Sequence, residues 1–125
     1  MIYTTYFANL RHLPQSIVPI SIAGRKPDFF KGPEYKKLAP KYGFFSRWKL
    51  TRDNDYYESC FRQQVLDELT PEQVIKELGA ISGGKDVALV CYEKPSDFCH
   101  RHLVAAWLRR HGINVQEFKQ EDAQE

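Results

Sequence analysis

Cys91 and Glu93 close an apolar run, and Cys99, His100 and Arg101 follow after one short polar loop. These are types that do chemistry. An ionised thiol is a nucleophile, a carboxylate or imidazole moves protons, and a guanidinium holds an anion through paired hydrogen bonds. Val87-Ala88-Leu89-Val90-Cys91-Tyr92 has the continuous apolar character of a parallel strand covered on both faces. Lys94-Pro95-Ser96-Asp97 then breaks the strand, and Ser96 or Asp97 can cap a helix whose first turn carries Cys99, His100 and Arg101. First-turn N–H groups are unpaired and the helix dipole is positive there, which favours an anion, whether a substrate phosphate or a thiolate.

Glu93, Cys99 and His100 are therefore the candidate catalytic residues, with Arg101 and Cys91 as candidate anion-binding neighbours. Arg101 and His100 beside Cys99 are surroundings that lower a thiol pKa. Each residue also has a plain reading. Cys99 and Cys91 can be small buried packing residues, Glu93 can open a solvated loop, and His100 can turn inward beside Val104 and Trp107. His102 and His111 read as structural or solvated. No metal is expected, because Cys-x7-Cys without a second ligand pair is a poor match to zinc-site spacing.

The surrounding elements must place that loop at a strand end. Ile2 to Phe7 and Ile17 to Ala23 read as the first two strands, with Pro19 better suited to an early strand position than to a ladder centre. Tyr57, Phe61, Val65 and Leu66 or Leu69 recur at helical spacing, which predicts a helix over 54–69. Thr70-Pro71-Glu72-Gln73 has a capping hydroxyl, a first-position proline and a Gln three residues on, so a helix restarts there and ends near Gly79. Ser82 to Asp86 is a turn. It is not a phosphate loop, because it precedes a strand and no Ser or Thr follows Lys85. A helix from about Cys99 to His111, stopped by Gly112, leads to a strand over Asn114 to Phe118. Such β-α-β units build parallel sheets, so the expected architecture is α/β with three layers and a mostly parallel sheet of about four strands.

A length of 125 residues fits one domain, taken as 1–120, with 121–125 as a frayed acidic tail. Hydrophobic residues at 42% against 27% charged residues match a folded globule and exclude a disordered chain. No apolar run is long enough to span a bilayer, and Met1 to Thr5 lacks a signal-peptide layout, so the expected location is cytoplasmic, with no membrane partner. Three cysteines, Cys60, Cys91 and Cys99, cannot pair completely, and free thiols are the expectation.

The net charge of +2 hides a local excess, since nine Lys and Arg lie between Arg25 and Arg52 against only Asp28 and Glu34. Lys31, Lys36 and Lys37 alternate there with Tyr35 and other aromatics, a mixture that suits single-stranded nucleic acid. It equally suits an irregular segment packed on the sheet with solvated lysines.

Cys91-Tyr92-Glu93 followed by Cys99-His100-Arg101 resembles the hallmark of the domain of unknown function 488 family. Phe30 to Pro40 and Gly84 to Leu103 resemble one compact subgroup of it. The resemblance implies a small Rossmann-like fold and an activity on nucleotides or nucleic acid. Thr5-Tyr6-Phe7 stands where family members commonly have Thr-Ile-Gly, and Ile22-Ala23-Gly24-Arg25 where they have Asp-Val-Arg. The acid has no counterpart, but Arg25 supplies a basic group at the second strand's end, so Arg25 and Arg101 would flank one crevice.

The expected function is that of an enzyme acting on a phosphate-bearing small molecule or nucleotide at this crevice, with no cofactor. The alternative is a nucleic-acid-binding module built on 25–52. A protein-interaction domain would have no positive motif behind it, and no motif specifies an oligomeric state.

Overall fold

Long-range strand pairing positions everything else in this chain. The computed structural model describes residues 1–119, so the tail expected at 121–125 lies outside the described residues. Strand β1 is Ile2–Tyr6, β2 is Ile17–Ser21, β3 is Asp86–Cys91 and β4 is Val115–Glu117. Helices α1 (Tyr42–Thr51), α2 (Asn54–Gln64), α3 (Pro71–Ser82) and α4 (His100–Arg110) are joined by loops and by 3₁₀ turns at Phe7–His12, Lys36–Leu38 and Leu66–Glu68. The sheet order is β2-β3-β1-β4 and every pairing is parallel, with Ile2 opposite Val87 and Ile20 opposite Leu89. The protein is therefore an α/β fold, as its alternating elements predict.

The apolar run of β3 lies between β2 and β1, which explains why Val87 to Cys91 are all buried. β2 is an edge strand. That position tolerates Pro19 in mid-strand, where its missing N–H would otherwise interrupt a ladder.

The two faces of the sheet are covered differently. Val87 and Leu89 of β3 join Ile2 and Ile20 in the main core, against Phe61 of α2, Val74 and Leu78 of α3, and Val104 and Leu108 of α4. Ala88 and Val90 point the other way, and there the cover is Phe7 of the first 3₁₀ turn, Phe30 of the following loop, and Phe118. The third layer is thus a 3₁₀ turn with loops, where helices on both faces are expected from sequence. The 79 residues between the end of β1 and the start of β3 carry β2 and α1–α3, and the apolar stripes of these three helices all converge on one core.

Local signals set the helix ends. The Thr70 hydroxyl accepts from the Gln73 N–H at 3.2 Å, Pro71 occupies the first turn, and Gly83 leaves α3 with φ 67° in the left-handed region. α3 therefore runs three residues past Gly79. α2 stops at Gln64, short of the Leu69 that its spacing predicts, because the chain tightens into the Leu66–Glu68 turn while still burying Val65 and Leu66. No helix among the described residues is long and apolar enough to cross a membrane.

A carboxylate on α3 anchors the loop that follows β2. Glu77 accepts hydrogen bonds from the Tyr35 hydroxyl, from Lys37 Nζ at 2.9 Å and from Gln73 Nε2 at 3.1 Å. These donors, Tyr35 foremost, hold its carboxyl down at about 2, and burial with the Glu77 contact raises the Tyr35 phenol above its usual range. A depressed carboxyl pKa contributes stability above the unfolded value, and that contribution is lost as pH falls through the folded value. The stability difference between wild type and Glu77→Gln should therefore be constant from pH 7 to about 5 and shrink toward pH 2. Urea unfolding across that range measures it, and a difference that is independent of pH would refute the coupling.

Candidate functional site

β3 ends at Cys91 and α4 begins at His100, so the intervening loop lies at the carboxyl ends of the parallel strands. Open α/β sheets bind ligands there. Cys99, and not Ser96 or Asp97, is the N-cap of α4, with extended backbone and no side-chain capping bond. His100 and Arg101 are then the first two helical residues.

Arg101 is completely buried and does not line the crevice. Its Nε donates to Glu117 Oε1 at 3.1 Å and its Nη2 to Glu117 Oε2 at 2.8 Å, a bidentate pair with an acid of β4. Its Nη1 donates to the Glu93 carbonyl at 2.6 Å and reaches Cys91 Sγ at 3.1 Å, while the guanidinium lies 5.7 Å from the centre of the Tyr6 ring. Thr4 Oγ1 donates to Glu117 Oε1 at 2.6 Å and fixes the acid in turn. The expectation that Arg101 and Arg25 flank one crevice is thereby corrected. Arg25 is at the crevice, and Arg101 braces its floor from inside the protein.

Cys91 and Cys99 are joined in a disulfide, which corrects the expectation of free thiols. The strand end and the helix cap come together across the loop, a proximity that counting cysteines does not reveal. Cys60, on α2, is the free cysteine. His100 is buried beside this pair. Its Nε2 lies 2.7 Å from the Ile22 carbonyl oxygen, which only accepts, so Nε2 carries the proton. The lone pair is then on Nδ1, 4.0 Å from Cys99 Sγ. Burial lowers the imidazole to about 4 against the opposing pull of the Ile22 bond, which keeps it neutral at physiological pH.

Above this floor opens a cleft of about 850 Å³. One side is the chain after β2, Ala23 to Asp28. The other is built by α1 and α2, with Tyr42, Phe45, Trp48 and Tyr57, and by Phe98 of the β3–α4 loop. These rings support one another, since Phe98 lies 5.6 Å from Trp48 and 5.0 Å edge-on from Tyr57. Tyr92 projects from the end of β3 and donates to the Arg25 carbonyl at 2.6 Å, closing the near edge. Arg25, Lys26, Asp28, Lys49 and Glu93 add charge to the lining. Among the described residues the Glu93 carboxylate makes no hydrogen bond or ion pair, so it is available to a ligand.

Of the candidates from sequence, Arg25, Cys91, Glu93, Cys99 and His100 therefore line one cleft. Lys31, Tyr35, Lys36 and Lys37 do not. Lys31 is exposed elsewhere, Lys36 Nζ donates to the Gly24 carbonyl at 2.7 Å, and Tyr35 and Lys37 are held by Glu77. Tyr57, Phe98, Tyr92 and Asp28 were not legible as site residues. Phe98 carried the best signal, being an aromatic inside the loop that joins the two cysteines.

A parallel α/β sheet with an aromatic cleft beyond its strand ends is the class that the fold and site define. A family model described as the active DUF488-N3 subclade, DUF488-N3a, matches residues 11–112. The chain belongs to that family. No curated protein and no solved structure gives a significant match to it. The matched span includes the whole cleft and ends before Glu117, the partner of Arg101.

Two predictions come from this geometry. Glu117→Ala strands a buried guanidinium and should cost about 3 kcal/mol or more in urea unfolding; a loss within about 0.5 kcal/mol, as for an ordinary surface change, would show that Arg101 does not depend on the pair. Alkylation of the unfolded, unreduced chain should add one group, at Cys60, and alkylation after reduction should add three. Intact-mass measurement distinguishes these, and three groups without reductant would exclude the disulfide.

Proposed function

We propose that the cleft is the active site of an enzyme acting on a phosphate-bearing nucleotide unit. The observation that carries this reading is the composition of the cleft: about 850 Å³ lined by aromatic rings together with Arg25, Lys26 and Lys49. That volume is within the usual range for small-molecule sites. A base is held by ring faces, and a phosphate by a planar guanidinium. Arg25 takes the phosphate from the wall that follows β2, Lys49 adds positive charge from the α1 wall, and Glu93 serves as the proton donor or acceptor at the strand end. The family description, an active subclade, supports an enzyme. A cytoplasmic location belongs to the same reading.

The nucleic-acid alternative contracts to the same cleft, because Tyr35, Lys36 and Lys37 are engaged within the protein. What remains of it is a single strand presenting one nucleotide at a time past the exposed rings of Tyr42, Phe45 and Tyr92.

Equilibrium binding of nucleoside mono-, di- and triphosphates, of the bare nucleoside and of short single-stranded oligonucleotides tests the reading. Mononucleotides should bind, and Arg25→Ala should weaken them about tenfold, to the level of the bare nucleoside. Oligonucleotides binding far more tightly than mononucleotides, with a steep salt dependence, would shift the substrate to nucleic acid. Failure of every one of these ligands to bind would end the proposal.

A further inference from the structure

We propose that, once the disulfide is reduced, Cys91 Sγ, Cys99 Sγ and His100 Nδ1 form a three-ligand zinc site at the floor of the cleft, with the fourth position open to it. The three ligand atoms lie within 4.8 Å of one another. A tetrahedral site with Zn–S bonds of about 2.3 Å holds two sulfurs about 3.8 Å apart, inside that span. All three residues are buried, and all three border the cleft.

The surroundings of the ligands fit metal binding independently of the cluster. A histidine that ligates a metal almost always donates its other ring N–H to a carbonyl or carboxylate, which fixes the tautomer. His100 does this with Ile22, directing the Nδ1 lone pair at the sulfurs. Cys91 Sγ already accepts from Arg101 Nη1, the kind of outer bond that orients a ligating thiolate. The charges also balance, because a divalent ion with two thiolates and a neutral imidazole is neutral overall, and Arg101 is neutralised by Glu117. A buried position therefore carries little net penalty.

Three protein ligands and one open position are the arrangement of catalytic zinc, and two cysteines with one histidine are one of its known ligand sets. The Cys-x7-Cys spacing argues against zinc only while the ligands are taken as one continuous motif. Here they belong to a strand end and a helix start that the fold brings together.

Reduction is written with dithiothreitol: two electrons and two protons pass to Cys91 and Cys99, and the reagent becomes its cyclic disulfide. Metal binding then releases the two thiol protons to the buffer. The metal site goes beyond the nucleotide reading and would survive its failure.

Reduced, folded protein freed of reductant without oxygen is titrated with Co²⁺, followed by its sulfur-to-cobalt charge-transfer band, and Zn²⁺ is counted by elemental analysis. One ion per chain is expected, with Zn²⁺ displacing Co²⁺. Cys91→Ser and Cys99→Ser should each lose affinity by about tenfold or more, and Cys60→Ser should lose none. Far-ultraviolet circular dichroism of each variant separates ligand loss from unfolding, and the oxidised wild type, whose sulfurs are occupied, should take up no ion. Reduced wild type that takes up neither ion, uptake that persists in oxidised protein, or undiminished affinity in folded Cys91→Ser overturns the proposal. Nucleotide binding without metal uptake would overturn this inference alone, and metal uptake without nucleotide binding would leave it standing.

Discussion

A guanidinium with no exposure must have both its charge and its N–H donors met inside the protein, because leaving them unmet costs several kcal/mol. Arg101 meets that requirement only if three separate parts of the chain converge on it. Glu117 comes from β4, the Glu93 carbonyl and Cys91 come from the end of β3, and Thr4 of β1 holds Glu117 in register. The first turn of α4 is thereby fixed against the carboxyl ends of three adjacent strands. Cys99 and His100, immediately before Arg101 in the chain, are thereby set into the cleft floor.

Much of this fold is local in origin and was legible. Thr70-Pro71 starts α3, Gly112 ends the turn after α4, and the Val87 to Cys91 run marks a strand buried on both faces. Sheet order was not legible, because parallel partners are chosen by packing over distances of about seventy residues and more. Pro19 was the one hint of an edge strand. The unequal cover of the two sheet faces was hidden for a related reason: amphipathic spacing shows that a helix has an inner side without showing which face of the sheet that side meets.

Arg101 shows how a site can be located correctly while one of its members is turned the wrong way. Its place in the first turn put it near the crevice. Its direction was encoded elsewhere, since residues 101, 105 and 108 fall on one helical face, and Ala105 and Leu108 are both buried. Glu117 likewise shares its side of β4 with buried Val115, because strand side chains alternate. An inward arginine on the helix and an inward acid on the next strand are the sequence form of a buried ion pair. The disulfide had no such signature, as eight residues of separation permit contact without requiring it.

The aromatic share of the chain is also explained by the cleft wall. Phe44, Trp48, Tyr57 and Phe61 pack on one another, which gives α1 and α2 a rigid contact without a long apolar stripe. Three of the cations on α1 and at its end are partly engaged in the same way, with Arg47 over Tyr56, Lys49 over Phe45 and Arg52 over Trp48. The α1 part of a segment that looked in sequence like a basic arm is therefore a folded wall with Arg47, Lys49 and Arg52 lying over ring faces. Its rings are held by their neighbours before any ligand arrives, so stacking a planar group in the cleft costs little ordering. The wall is thus fixed by ring contacts above a floor of two joined cysteines and a buried histidine, so both sides of the cleft are held by the fold itself.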